Sequence, residues 1–182
     1  MDDIVKQALR KWPNVPHCFG WLGLDMRGNW WLRDTTTQAA GNFSDSKGTL
    51  LTHEKLRAFI DRNYDVDAQG QWFFQNGPQR VYVELESTPM VWRVHDDGSV
   101  YSHTGQSMQV QRGLLDEHGH LYLVCAGILG LVHSQDMFCA AQMIEQGLWP
   151  IEEVRKDDLP HLFNFVCNPA RLSVLNVPDG TS

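Results

Sequence analysis

The chain is poor in several features that would assign it quickly. No apolar run approaches the roughly 20 residues needed to span a bilayer; the longest, Leu121 to Val132, is broken by Gly127 and Gly130. The acidic start, Met1-Asp2-Asp3, lacks the basic and then apolar stretch of a signal peptide. A cytoplasmic protein with no membrane partner is therefore expected. Four cysteines, Cys18, Cys125, Cys139 and Cys167, form no CxxC pair. Reduced thiols used for core packing are expected. The 15 Lys and Arg are scattered among 22 Asp and Glu, for a net charge of −7. Nucleic-acid binding needs clustered cations that displace counterions, so no nucleic-acid partner is expected. The sequence contains no P-loop, dinucleotide fingerprint or G-x-S-x-G elbow, and no cofactor is predicted.

What the chain does have is one turn written four times. It reads Asp25-Met26-Arg27-Gly28-Asn29, Asp67-Ala68-Gln69-Gly70-Gln71, His95-Asp96-Asp97-Gly98-Ser99 and Asp116-Glu117-His118-Gly119-His120. A β-rich segment follows each copy. A carboxylate at the first position can bond backbone N–H groups ahead of it, and glycine at the fourth can take positive φ. Together they make a hairpin turn with a G1-type bulge. The glycines lie 42, 28 and 21 residues apart. A repeat array would hold one period, so the motif reads as reuse of a hairpin device.

Apolar periodicity places a helix over residues 3–12, ended by Pro13 and Pro16, and a strand from Phe19 to Leu24. Residues 34–48 are polar and read as a surface loop. A helix is expected over 53–62 with Thr52 as cap and Leu51 and Leu56 as a staple. Asn76-Gly77 joins two β-rich runs into a hairpin, with Pro78 lengthening the loop. Strands follow at 90–94 and 121–126. A second helix over 135–146 takes Ser134 as cap and buries Met137, Phe138, Ala141 and Ile144. Residues 151–156 read as a helical turn and 161–177 as extended. The predicted fold class is α+β: antiparallel hairpins in twisted sheets with helices packed on them. One domain over 1–182 is expected, with two sub-layers, 1–92 and 93–182, as its internal division.

The stretch Lys11-Trp12-Pro13-Asn14-Val15-Pro16-His17-Cys18-Phe19-Gly20-Trp21-Leu22-Gly23-Leu24-Asp25, followed by Arg27-Gly28-Asn29-Trp30, resembles the signature of an uncharacterised proteobacterial protein family. The likeness extends over most of the chain, through Val132-His133 to Asp136. That family brings no activity with it. Residues 67–91 are similar to a second uncharacterised bacterial family, through Gly70-Gln71-Trp72-Phe73-Phe74, Val81-Tyr82-Val83-Glu84 and Thr88-Pro89. This second resemblance implies a fold of repeated strand–helix motifs and nothing more.

Candidate chemistry is sparse. His118 and His120 beside Asp116 are the nearest approach to a metal cluster, although a hairpin turn calls for polar residues there anyway. His17-Cys18 offers a nucleophile and a base, but neighbours in an extended chain point apart. Glu84 and Glu86 alternate with Val83 and Leu85, which places both on one exposed strand face. Trp30-Trp31 and Trp72-Phe73-Phe74 put large rings on both faces of a strand. Either two layers bury them, or some of Trp30, Trp31, Trp72 and Phe74 form a surface patch for a protein partner or a second copy. The sequence establishes no activity, and enzymatic function is not the leading expectation. The leading reading is a non-enzymatic protein-interaction or regulatory module. The alternatives are a small metal-dependent or Cys/His hydrolase, and a small-molecule sensor with an aromatic pocket between sheet and helix.

Overall fold

The structure, a computed structural model, describes residues 1–175. The chain divides into two compact units. Met1–Leu24, Trp30–Glu86 and the segment from Val166 form the first; Asp25–Asn29 and Ser87–Phe165 form the second. The first carries α1 (Asp3–Lys11), β1 (Cys18–Leu24), β2 (Trp30–Leu32), α2 (Thr35–Ala40), β3 (Thr49–Leu50), α3 (Glu54–Arg62), β4 (Tyr64–Val66), β5 (Trp72–Asn76) and β6 (Gln79–Leu85). The second carries β7 (Met90–Val94), β8 (Val100–Ser102), β9 (Ser107–Met108), β10 (Val110–Asp116), β11 (Leu121–Cys125), β12 (Ile128–Val132), α4 (Met137–Glu145), β13 (Ile151–Val154) and α5 (Leu159–Leu162). The chain then returns to the first unit as α6 (Pro169–Leu175). The fold is α+β, with a six-stranded and a seven-stranded sheet. Both sheets are mixed, because β1 runs parallel to β6, β7 to β12 and β10 to β13. No helix among the described residues is long and apolar enough to cross a membrane.

The four turns fold alike. In each, the glycine N–H donates to the carbonyl of the first residue, and the N–H of the first residue donates to the fifth carbonyl. Each glycine sits at a φ of 78 to 81°. Asp25, Asp67 and Asp116 each use Oδ1 to accept the N–H groups of the third and fifth residues. A fifth copy, Ser102 to Gln106, carries serine in place of aspartate and escapes the sequence pattern. Its Gly105 N–H donates to Ser102 O, and Ser102 Oγ accepts Gln106 N–H at 3.1 Å.

The two units repeat one topology. The first sheet runs β3-β2-β1-β6-β5-β4, and the second contains β9-β8-β7-β12-β11-β10, flanked by β13. Their registers coincide as well. A shift of 70 residues carries the Leu24–Trp30 pair onto Val94–Val100. A shift of 49 carries Val66–Trp72 onto Leu115–Leu121 and Phe74–Val81 onto Leu123–Gly130. Under the same shifts the parallel pair Leu22–Val83 becomes Trp92–Val132. Extra chain, α2 and α3, lies between the first and second Asp-Gly turns and has no counterpart between the third and fourth. The insertion makes the turn spacing uneven, so a repeated topology looks in the sequence like reuse of a hairpin device.

Both faces of the first sheet are covered. On one, α3 packs against β5, and Trp30, Tyr64 and Trp72 meet ring to ring, with centroids 5.1 and 4.9 Å apart. The Trp30 Nε1–H donates to Asp61 Oδ1 at 2.8 Å. On the other face Phe73 meets Tyr82, which stacks on Phe19 at 4.6 Å, and α6 packs against β1 and β6.

Several local expectations change. The loop over 34–48 contains α2, and its Phe43 is buried. The cap of α3 is His53, whose Nδ1 accepts Leu56 N–H, rather than Thr52. Pro78 does not lengthen the hairpin: Asn76 pairs directly with Gln79. Residues 134–136 form a 3₁₀ turn capped by His133, and α4 buries Ala140 and Met143 while Phe138 is exposed. The phase of α4 is set by Asp136, drawn inward by Arg93 at 2.6 Å. Residues 151–154 are strand β13, not a helical turn. The stretch read as extended contains α5 and α6, with Pro169 at the start of a helix, where its missing N–H costs nothing. Residues 176 and 177 of that stretch lie outside the described residues.

Candidate functional site

The first unit encloses a cavity of about 580 Å³ between its sheet and the helices α2 and α3. Cross-strand partners share a sheet face. Leu22 pairs with Leu32, and Phe74 pairs with Val81. These four line the cavity from the strands, and Leu56 and Ile60 line it from α3. Leu22, Ile60 and Phe74 are buried, whereas Trp21, Leu32 and Leu56 are 47, 43 and 37% exposed. An apolar interior with half-exposed apolar side chains around its opening is the arrangement that takes up a small ligand.

Just before Trp21 and Leu22 of the lining, β1 is bulged. The register between β1 and β6 shifts between Cys18 and Leu22, and Gly20 takes a φ of 81°. A Cβ at Gly20 would press on the Gln38 side chain of α2. Thr37, Thr49 and Asn76 add neutral polar groups, and Arg33 and Asp34 are the charged residues of the lining. The Arg33 guanidinium is engaged by backbone: Nε donates to Ser46 O, Nη1 to Gly20 O and Nη2 to Gly41 O. Asp34 is exposed and caps α2 by accepting Thr37 N–H at 2.7 Å. That hydrogen bond holds its carboxyl below the ordinary value, so it is ionised at neutral pH.

Among the ring candidates, Trp30, Trp72 and Phe74 lie in the core, and Trp31 is half-buried with Lys47 Nζ 5.8 Å from its ring centre. Burial on both faces accounts for the doubled aromatics; only Phe74 reaches the cavity. The most exposed aromatics are instead Trp12, Trp21, Tyr101 and Phe138. The histidines of the fourth turn lie 6.2 Å apart, ring centre to ring centre. Asp116 is committed to the turn: Oδ1 accepts two N–H groups, and Oδ2 meets the His120 ring and the Tyr122 hydroxyl at 2.9 Å each. Burial alone would raise this carboxyl, but the hydrogen bonds outweigh it and bring it to about 2. Among the described residues no three His, Cys, Asp or Glu side chains form a metal-holding group. His17 packs edge-on to Tyr82 at 5.6 Å, Cys18 pairs with Val81 in the sheet, and none of the four cysteines is in a disulfide.

The exposed-face expectation for Glu84 fails. Glu84 is 1% exposed and accepts Ala170 N–H through Oε1 at 3.0 Å, while Glu86 pairs with Lys47 at 2.8 Å. Burial pushes the Glu84 carboxyl up to about 7, against the opposing pull of the Ala170 N–H and the Arg33 charge.

A family model described as a protein of unknown function, DUF2946, matches residues 1–170. No curated protein matches the chain. Two solved structures are similar to it. A DUF1285 family protein from Silicibacter pomeroyi DSS-3 is 14% identical, with a TM-score of 0.49 over 79% of this chain and 85% of that one. A DUF1285 family protein from Shewanella baltica OS155 is 14% identical, with a TM-score of 0.45 over 67% of this chain and 91% of that one.

Proposed function

The chain belongs to the DUF2946 family of proteins of unknown function, and from that premise we propose that it is a small-molecule-binding protein whose site is the cavity of the first unit. One observation carries the reading: an apolar space of about 580 Å³ under α2 and α3 that the surrounding side chains leave unfilled. Its size lies within the roughly 300–1,000 Å³ of ordinary ligand pockets. What sets it apart is its lining, in which apolar side chains outnumber polar ones. The partner-binding and hydrolase readings draw less support. The rings cited for the first lie largely in the core, and Asp116, cited for the second, is held by its own turn. A cytoplasmic location is part of the proposal, supported by four cysteines of which none is in a disulfide.

A ligand that binds only the folded state raises stability by about 2.7 kcal/mol at a hundred times its Kd. Label-free melting of the full chain against naphthalene, indole and 1-naphthol should therefore show a dose-dependent rise in Tm for at least one compound. No rise with any of them at their solubility limits would sink the reading.

A further inference from the structure

The two copies of the fold treat the same sheet position in opposite ways. Under the register shifts, Leu22 corresponds to Trp92, Phe74 to Leu123 and Val81 to Gly130. In the second unit the Trp92 indole is fully buried and lies on Gly130, where any Cβ would collide with the ring. Its Nε1–H donates to Leu123 O at 2.8 Å. Tryptophan and glycine together plug the site. In the first unit leucine and valine stand at these positions, and the cavity remains. The first unit also inserts α3, which lines the space with Leu56 and Ile60. This fold has a compact solution for the position and uses it in one copy only. The open copy is thus a feature of the sequence rather than a limit of the architecture.

The lining also selects by charge. Arg33 is 4% exposed, and its guanidinium is held by three carbonyls. The charge that an entering molecule meets is the exposed Asp34 carboxylate. Leu22, Leu56, Ile60, Phe74 and Val81 offer contact and no hydrogen bonds.

We infer that the first-unit cavity binds a small, uncharged, predominantly apolar molecule, with polar contact confined to Thr37, Thr49 and Asn76, and that it discriminates against anions. The inference rests on the small-molecule reading above and adds the class of ligand.

Two fluorescent probes test it on the full chain. N-phenyl-1-naphthylamine is neutral, and 8-anilino-1-naphthalenesulfonate has the same skeleton with a sulfonate added. The neutral probe should bind with 1:1 stoichiometry and at least fivefold more tightly, and Asp34→Asn should narrow the gap. The double variant Leu22→Trp, Val81→Gly imports the plug of the second unit and should weaken the neutral probe at least tenfold while circular dichroism stays native. Should that variant fail to fold, Leu56→Trp, at a half-exposed mouth position, should weaken the probe by the same route. Equal or tighter binding of the sulfonate would overturn the charge selection and leave the small-molecule reading standing. Unchanged binding of the neutral probe to a folded plug or mouth variant would overturn the site itself. Affinity that falls as protein concentration rises would place a second copy over the mouth and overturn the ligand assignment.

Discussion

Replacing Glu84 by glutamine probes how the first unit holds its C-terminal helix. The carboxyl lies under α6: Oε1 accepts Ala170 N–H, and Oε2 has no hydrogen-bond partner among the described residues. Burial raises its pKa from 4.5 to about 7. An acid whose folded pKa exceeds its unfolded value holds its proton more firmly in the folded state. The stability it lends is complete below pH 4.5 and is lost as the pH climbs to 7. The distance from 4.5 to about 7, at about 1.4 kcal/mol per pH unit, amounts to about 3.5 kcal/mol. Glutamine keeps an acceptor for Ala170 N–H and does not ionise. Glu84→Gln should therefore match the wild type near pH 4.5 and exceed it by up to about 3.5 kcal/mol at pH 8. Urea unfolding of both proteins across this range measures the difference. A difference that does not change with pH would refute the reasoning, and a variant less stable at pH 8 would refute it more strongly.

Asp116 should behave in the opposite sense. Its folded pKa is depressed to about 2, so the stability it supplies is present above the unfolded value near 3.8 and is lost as the pH falls toward 2. Asp116→Asn should cost about 2 kcal/mol at pH 7 and little at pH 2, read by urea unfolding. The turn glycines should separate by their surroundings. Gly119→Ala meets open space at a φ of 81° and should cost about 1 kcal/mol, whereas Gly98→Ala also strikes the Met143 sulfur and should cost more in the same assay. Trp92→Leu removes the plug of the second unit and should destabilise by about 3 kcal/mol. It should also leave neutral-probe binding to the first unit unchanged, measured by the fluorescence titration described for the cavity.

Three of the four turns were legible because their chemistry is local, a carboxylate bonding N–H groups two and four residues ahead and a glycine at positive φ, and the third, begun by His95, showed through Asp96-Asp97-Gly98. The fifth turn was not, because a serine hydroxyl does the work of the carboxylate. Alternation showed that Glu84 opposes Val83 across the strand but not which face would be covered. The cover is α6, and its contact spans 86 residues of sequence. The histidine caps at His53 and His133 were missed because only an unprotonated ring nitrogen facing the right N–H can accept, which depends on rotamer and tautomer rather than residue type. The cavity joins β1, β2, β5 and β6 to two inserted helices, so no short stretch announces it. Its one legible trace is the contrast of Leu22 and Val81 with Trp92 and Gly130, visible once the first turn is paired with the third and the second with the fourth.

The most direct test of the central claim is methyl NMR of the full chain titrated with N-phenyl-1-naphthylamine. A ligand in the first-unit cavity predicts the largest shifts at the methyls of Leu22, Leu32, Leu56, Ile60 and Val81, with those of Leu123, Leu129 and Leu131 unmoved. Shifts centred on the second unit, or an absence of saturable shifts anywhere, would contradict it.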